Sequence, residues 1–202
     1  QRQMCIRDRC LNHTVEEYKN GLLYDTERDA SLVERLRRIM LRTVWAITEQ
    51  MKLGKFDTVD SEVSFRMDKE KQTYIGRVDR IDTMETEENI YVKIVDYKTG
   101  KKDLSLSDLY YGLQLQLMVY LRAAVDKQTR RSKKMVIPAG VLYYHIEDPF
   151  VTSRLDFEEK RTYLLNELLM RGLVNEEDPV LPSLDATLAG EEGALAASAK
   201  SL

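Results

Sequence analysis

Ile94-Val95-Asp96-Tyr97-Lys98-Thr99-Gly100 is the stretch from which the rest of the chain is read. An apolar, β-prone run ends in a carboxylate and an ammonium two residues apart, and a glycine then breaks it. Along an extended strand, side chains i and i+2 leave from one face. Asp96 and Lys98 therefore project together, and Tyr97 projects away. A carboxylate beside a lysine at the open end of a strand suits metal-assisted phosphodiester cleavage. The acid holds a divalent cation, and the ammonium sits near the attacking water or the scissile phosphate. The same pair on a solvated strand is also an ordinary surface ion pair, worth little. Alone, the stretch leaves both readings open.

The segment before it supplies a second acid. Glu62 to Met67 alternates, with Val63 and Phe65 on one face. From Thr73 to Thr83, Tyr74, Gly76, Val78, Arg80 and Asp82 share one face, and Ile75, Arg77, Asp79 and Ile81 the other. The polar cluster Glu85–Asn89 reads as a turn, with a second strand from Ile90 to Lys98. A hairpin centred near Glu87 sets Asp79 opposite Val95 and Asp96. Opposed residues in such a pair lie about 4.5–5.5 Å apart, so two acids from separate strands can meet one cation. A slip of one residue would reverse the faces.

Further out, the pattern is helical. Leu32, Leu36, Ile39, Met40, Val44, Ile47 and Met51 recur at three- and four-residue steps between about Asp25 and Lys52, and Gly54 ends the run. This stripe reads as core packing. After the Lys101–Asp103 loop, Ser107 is placed to cap a helix reaching about Val125, on which Gln116 and Tyr120 share a face. Two polar residues on an apolar helix suggest a lined cleft, or two partly exposed side chains. Lys127 to Lys134, rich in Lys and Arg, reads as a solvated linker. Met135 to Ile146 reads as a strand interrupted by Pro138 and Gly140, with His145 as a satisfied structural histidine. Phe157 to Leu173 reads as an amphipathic helix ended by Gly172.

Composition bounds the class. A chain of 202 residues, 43% hydrophobic and 32% charged, suits one ordinary globular domain. Net charge is −3, so no global basic field collects nucleic acid, and any DNA contact rests on a local patch, on metal ions or on another subunit. No apolar run is long enough to span a bilayer. Cys5 and Cys10 form no disulfide framework, which fits a reducing cytoplasm. No G-x-x-x-x-G-K-[ST] run is present for ATP. Met4 to Arg9, MCIRDR, resembles translated sequencing-adaptor read-through, so residues 1–10 are read as a foreign leader.

In order, the chain offers Gly76-Arg77-Val78-Asp79, then Asp96-Tyr97-Lys98, then Gln116-Leu-Met-Val-Tyr120. This G-x-x-D, D-x-K and Q-x-x-x-Y series resembles the PD-(D/E)XK nuclease superfamily in its RecB-like branch. The phrases LYYGLQLQLMVYL, VKIVDYKTG and PAGVLYYHIEDP look like the AddB/RexB-type nuclease domains of bacterial ATP-dependent helicase/deoxyribonucleases. The resemblance covers about residues 30–190. It implies an α/β fold, a mixed central β-sheet flanked by helices as in restriction endonucleases. Asp79 and Asp96 would be the metal-binding acids, with the Tyr97 carbonyl completing a Mg2+ site. Lys98 would orient or activate the water, and Gln116 and Tyr120 would line the DNA path. Double-strand-break repair by recombination, DNA as substrate, an AddA-like partner subunit in a heterodimer and a bacterial cytoplasmic setting follow from the same likeness.

The chain departs from that family in two ways. The family's upstream histidine, close to a glycine, would fall before residue 1 or under the leader, and His13 lacks the glycine context. The 4Fe–4S cluster expected in the full-length parent needs a downstream cysteine trio that these residues do not include, so it is not formable in this fragment. The expected layout is a leader at 1–10, a nuclease domain at 11–175 truncated on its N-terminal side, and a mobile or incomplete segment at 176–202. A non-catalytic DNA-binding scaffold with a degenerate site and a stand-alone RecB-like exonuclease are the alternatives.

Overall fold

The computed structural model describes residues 13, 14, 17, 27–69, 72–100, 104–177, 179–186 and 199–201. The expected leader, with Cys5 and Cys10, and the Lys101–Asp103 loop lie outside them. The elements are α1 (Glu27–Leu53), β1 (Asp57–Lys69), β2 (Gln72–Glu85), β3 (Asn89–Lys98), α2 (Leu106–Tyr110), α3 (Gln116–Arg131), β4 (Met135–His145), α4 (Phe157–Glu167), β5 (Arg171–Val174), α5 (Val180–Leu184) and β6 (Ala199–Ser201). The strands form one mixed sheet in the order β1-β2-β3-β4-β5-β6. Strands β3 and β4 run parallel, with α2 and α3 in the crossover between them. A parallel pair requires such a crossover, because a short hairpin turn reverses direction.

Each face of the sheet carries its own core. Leu117 and Ala124 of α3 pack on Val92 and Ile94 of β3, Ile81 of β2, Val141 of β4 and Leu173 of β5. On the other face, Tyr91, Val95, Leu142 and Tyr144 meet Val180 and Leu184 of α5 and Ile47 of α1. The expected α/β architecture, a mixed sheet with helices on both sides, is the one observed. Of the apolar stripe on α1, Ile47 packs while Leu32 and Leu36 remain exposed, and the buried residues of the helix are Val33, Ala46 and Gln50. Buried Gln50 ties that end down, donating to the Leu168 carbonyl at 2.9 Å and accepting from the Met170 N–H at 3.1 Å.

Four readings of the sequence need correction. The helix expected from Ser107 to Val125 is two helices: Ser105 caps α2, and the chain breaks before α3 starts at Gln116. Gly112 sits at φ +75°, and the Asp108 carbonyl accepts from both Leu113 and Gln114, which closes the turn. Second, the basic stretch after Lys127 is no linker: Lys127 and Arg131 lie on the last turns of α3 and pair with Asp60 of β1 at 3.1 and 2.8 Å. Third, β4 passes Pro138 and Gly140 unbroken, with only a register shift against Val92 and Lys93. Fourth, α4 stops at Glu167, and Gly172 lies inside β5. A Cβ there would overlap the Val141 carbonyl oxygen, so that glycine serves close strand approach rather than helix termination.

The alternation expected in β2 also fails at one place. Val78 and Ile81, three apart, lie in the same core under α3. Across from Asp79, between the pairs Ser61↔Arg80 and Val63↔Val78, Glu62 holds φ +53°. A left-handed residue in a strand twists it sharply and re-aims its neighbours. On the other side of the sheet, Arg80 forks onto fully buried Asp82 with two 2.7 Å bonds, and Lys93 approaches the same carboxylate at 3.5 Å.

Candidate active site

The antiparallel pairing of β2 and β3 ends at Arg80↔Val95. One step beyond, the strands part, and the Asp79 carboxylate accepts the Tyr97 backbone N–H at 2.9 Å. That bond replaces a ladder partner and holds Asp79 against the stretch Asp96-Tyr97-Lys98. Asp96 is buried, only 4% exposed, at the rim of the core under α3. Lys98, two residues on, returns its ammonium to Asp96 Oδ2 at 2.6 Å. Tyr97 turns the other way, its ring edge-on to Tyr144 at 6.0 Å. Two acids on adjoining strands and one lysine thus share a single end of the sheet.

Their charges are coupled. Burial pushes the Asp96 carboxyl above the usual aspartate value. The neighbouring Lys98 ammonium pulls it back, and the Asp79 charge pushes it up again. Burial also draws the Lys98 ammonium down, but contact with Asp96 and the charges of Asp96 and Asp79 more than offset this and hold it above the ordinary lysine value. Lys98 is therefore a cation at neutral pH.

A chain of contacts fixes where that cation points. Gln116 Oε1 accepts from Lys98 Nζ at 3.5 Å, and Gln116 Nε2 donates to the Tyr120 hydroxyl at 2.8 Å. The spacing of four on α3 thus makes a connected pair, as a shared helix face requires. The Tyr120 ring stands edge-on to Phe65 of β1 at 5.6 Å. Gly76 makes room for both rings, since a Cβ there would lie 2.9 Å from each. Beneath the ammonium, the Tyr143 ring centroid lies 5.4 Å from Nζ. In the register of β3 and β4, Tyr143 sits beside Asp96 and His145 beside Lys98. His145 Nδ1 is 2.7 Å from the Gly100 carbonyl oxygen, a structural contact that pins the chain as it leaves β3.

A family model described as the PD-(D/E)XK nuclease superfamily matches residues 3–196. The chain belongs to the PD-(D/E)XK nuclease superfamily. It is 40% identical over 200 residues to the B subunit of an ATP-dependent helicase/deoxyribonuclease of Lachnoclostridium phytofermentans, covering 98% of this chain and 17% of that protein. Proteins of the same description from Ruminiclostridium cellulolyticum and Alkaliphilus oremlandii are 36% and 34% identical, covering 94% and 95% of the chain and 18% of each relative. The chain therefore spans less than a fifth of the length of these relatives. As a PD-(D/E)XK nuclease domain it is related to these helicase/deoxyribonuclease B subunits, all bacterial.

In a PD-(D/E)XK nuclease domain a divalent metal is the implied cofactor, and the residues at this site fit one. Asp96 Oδ2 is buried with no hydrogen-bond donor in good geometry, only the Lys98 ion contact. Asp79 and Asp96 offer hard carboxylate oxygens, the donor type that Mg2+ takes. Among the described residues no third His, Cys, Asp or Glu joins them. A cation held there would draw on these two acids, main-chain oxygen and water, and Mg2+ keeps several waters. Sequence reasoning missed Phe65, Tyr143 and the face switch at Asp79. The alternation of Tyr143 with His145 could have placed the former beside Asp96, but only once β4 was known to run parallel to β3.

Proposed function

We propose that this chain is the nuclease domain of an AddB-type bacterial helicase/deoxyribonuclease and hydrolyses DNA phosphodiester bonds with Mg2+ bound at Asp79, Asp96 and the Tyr97 carbonyl. The observation that carries the reading is the meeting of Asp79, Asp96 and a 2.6 Å Asp96–Lys98 contact at one sheet end. When bound, the ion would polarise a phosphoryl oxygen and lower the pKa of a water. The chain's own groups divide the remaining work. Lys98, charged at neutral pH, donates to the attacking water or a phosphate oxygen and stabilises charge that grows there. Gln116, itself bonded to Tyr120, gives the Lys98 ammonium a second, longer contact besides Asp96. The relatives are described as B subunits of ATP-dependent helicase/deoxyribonucleases, and the AddB-type likeness of the sequence motifs adds an AddA-like partner and recombinational break repair to the proposal.

The test is metal-dependent cleavage of DNA by the full-length protein together with its partner. Asp96→Ala or Lys98→Ala should lower kcat about 100-fold or more for the strand that this domain cuts, the scale of losing a preorganised charge. Unchanged cleavage would identify the domain as a non-catalytic scaffold with a relict site.

A further inference from the structure

Three arginines of α1 converge on one carboxylate just past the end of β4. Arg35, Arg38 and Arg42 recur at steps of three and four, so they share a helix face. Arg38 forks onto Asp148 through Nε and Nη2. Arg42 Nη1 reaches Asp148 Oδ1 at 2.6 Å and the Pro149 carbonyl at 2.9 Å. Arg35 Nε stands off at 4.0 Å, its side chain 63% exposed where that of Asp148 is 9% exposed. The bond to Arg38, and the charges of Arg38, Arg42 and Arg35 against the push of burial, hold the Asp148 carboxyl below the usual aspartate value. It is therefore an anion at neutral pH. One forked arginine would fasten α1 to the chain leaving β4. Three leave two positive charges in excess, and most of their N–H donors have no protein acceptor among the described residues.

The cluster stands at the sheet end that carries Asp96 and Lys98. His145 is the register partner of Lys98, and Ile146 donates its N–H to the Lys98 carbonyl at 2.8 Å. Asp148 lies two residues beyond Ile146, a reach of at most about 7 Å. Lys98 opens on the α3 side, where it meets Gln116, and the arginines stand on the α1 side of the same end.

We propose that Arg35, Arg38 and Arg42 form a phosphate-binding stripe that holds the DNA backbone where the strand crosses the sheet end to or from Lys98. The assignment rests on the nuclease reading above and adds where the substrate is gripped. Three observations favour phosphate as the occupant. The surplus of positive charge is local, on a chain whose net charge is −3, so it is not part of a general basic field. The groups are guanidiniums, whose planar forks match phosphate oxygens two at a time. Asp148 already holds two of them in place, so a ligand pays little to order them. An acidic protein segment would meet the same charges. Only a strand bound at Lys98, however, brings further phosphates within reach of this end of the sheet.

The experiment measures the affinity of the full-length protein for a single-stranded oligonucleotide, with metal chelated, across a series of salt concentrations. Each phosphate contact adds about 0.7 to the slope of log affinity against log salt. Arg35→Gln should therefore lower that slope by about 0.7, and Arg35→Gln with Arg38→Gln by about 1.4. Arg42 remains in both variants, so Asp148 keeps a partner. Arg35→Gln breaks only the 4.0 Å contact, which keeps the test readable should the double variant unfold. Arg35→Lys retains the charge and should retain the slope. Lys133→Gln removes one exposed charge just before β4, at the opposite end of that strand, and should leave the slope unchanged. An unaltered slope in Arg35→Gln, or an equal fall in Lys133→Gln, would overturn the stripe. So would loss of association with the partner subunit while the slope holds, which would mark the arginines as a contact for an acidic protein segment. Asp96→Asn separates the two readings. Cleavage surviving that change defeats the nuclease assignment, while the slope, read without metal, judges the stripe by itself.

Discussion

At the level of single residues, the buried Asp96 carboxylate costs the fold stability. Its folded carboxyl titrates above the unfolded value of 3.8, so the folded chain holds the proton more tightly. Stability from that proton is present below the unfolded value and is lost as pH rises through the folded one. At neutral pH the ionised side chain therefore opposes folding, and a cation bound there, as proposed, would relieve it. Asp96→Asn should raise the melting temperature of the metal-free protein and abolish the further rise produced by Mg2+, both visible in a thermal melt with and without the ion. A drop in the metal-free melting temperature would contradict this account. Lys98→Ala removes a cation from the same carboxylate. It should leave Mg2+ stabilisation equal or larger while kcat falls by about 100-fold, and weaker metal binding would speak against the division of roles.

Among elements, the placing of α3 against the β1–β2 hairpin sets the lysine. Gly76 lets the Phe65 and Tyr120 rings close on β2, and Tyr120 in turn carries Gln116 to Lys98. Gly76→Ala should push the Tyr120 ring aside and lower kcat by up to about 100-fold, because small misplacements at a reacting centre are costly. A second-site Phe65→Leu change should recover part of the loss by returning space. Tyr120→Phe keeps the ring and removes only the acceptor for Gln116, so its defect should be the smaller. Strands β4 and β5 meet at a tighter spot. The Gly172 Cβ position overlaps the Val141 carbonyl, so Gly172→Ala should destabilise by about 3 kcal/mol in a denaturant titration.

Over the whole molecule, burial at the face opposite the site leaves an ionic knot of one acid and two cations. Arg80, Asp82 and Lys93 are all buried, and Lys93 Nζ also lies 4.8 Å from the Phe56 ring centroid. Burial pushes the Lys93 ammonium down to about 8, with Asp82 opposing and Arg80 adding to the fall. Between about 8 and the unfolded 10.5 the unfolded chain binds the extra proton, so stability should rise with pH across that window. Lys93→Met should flatten this part of the melting profile, and an identical slope in the variant would refute the assignment. Asp82→Ala strands two buried cations and should cost about 3–5 kcal/mol. No helix among the described residues is long and apolar enough to cross a membrane.

What the sequence determined by itself was local and periodic. The β3 run, the hairpin register near Glu87, the shared faces of Asp96 with Lys98 and of Gln116 with Tyr120, and the helix that ends before Gly54 are all short-range consequences of strand and helix geometry. Backbone partners from elsewhere in the chain decided the rest. Gly112 and the Asp108 carbonyl broke one expected helix in two, and Gly172 joined a strand because β4 left room for nothing larger. Only the fold could show that β2 changes face at Asp79, that Tyr143 lies under Lys98, and that Tyr97 hands its N–H to Asp79. Those contacts join residues far apart in the chain, and periodicity carries no information about which strand lies beside which.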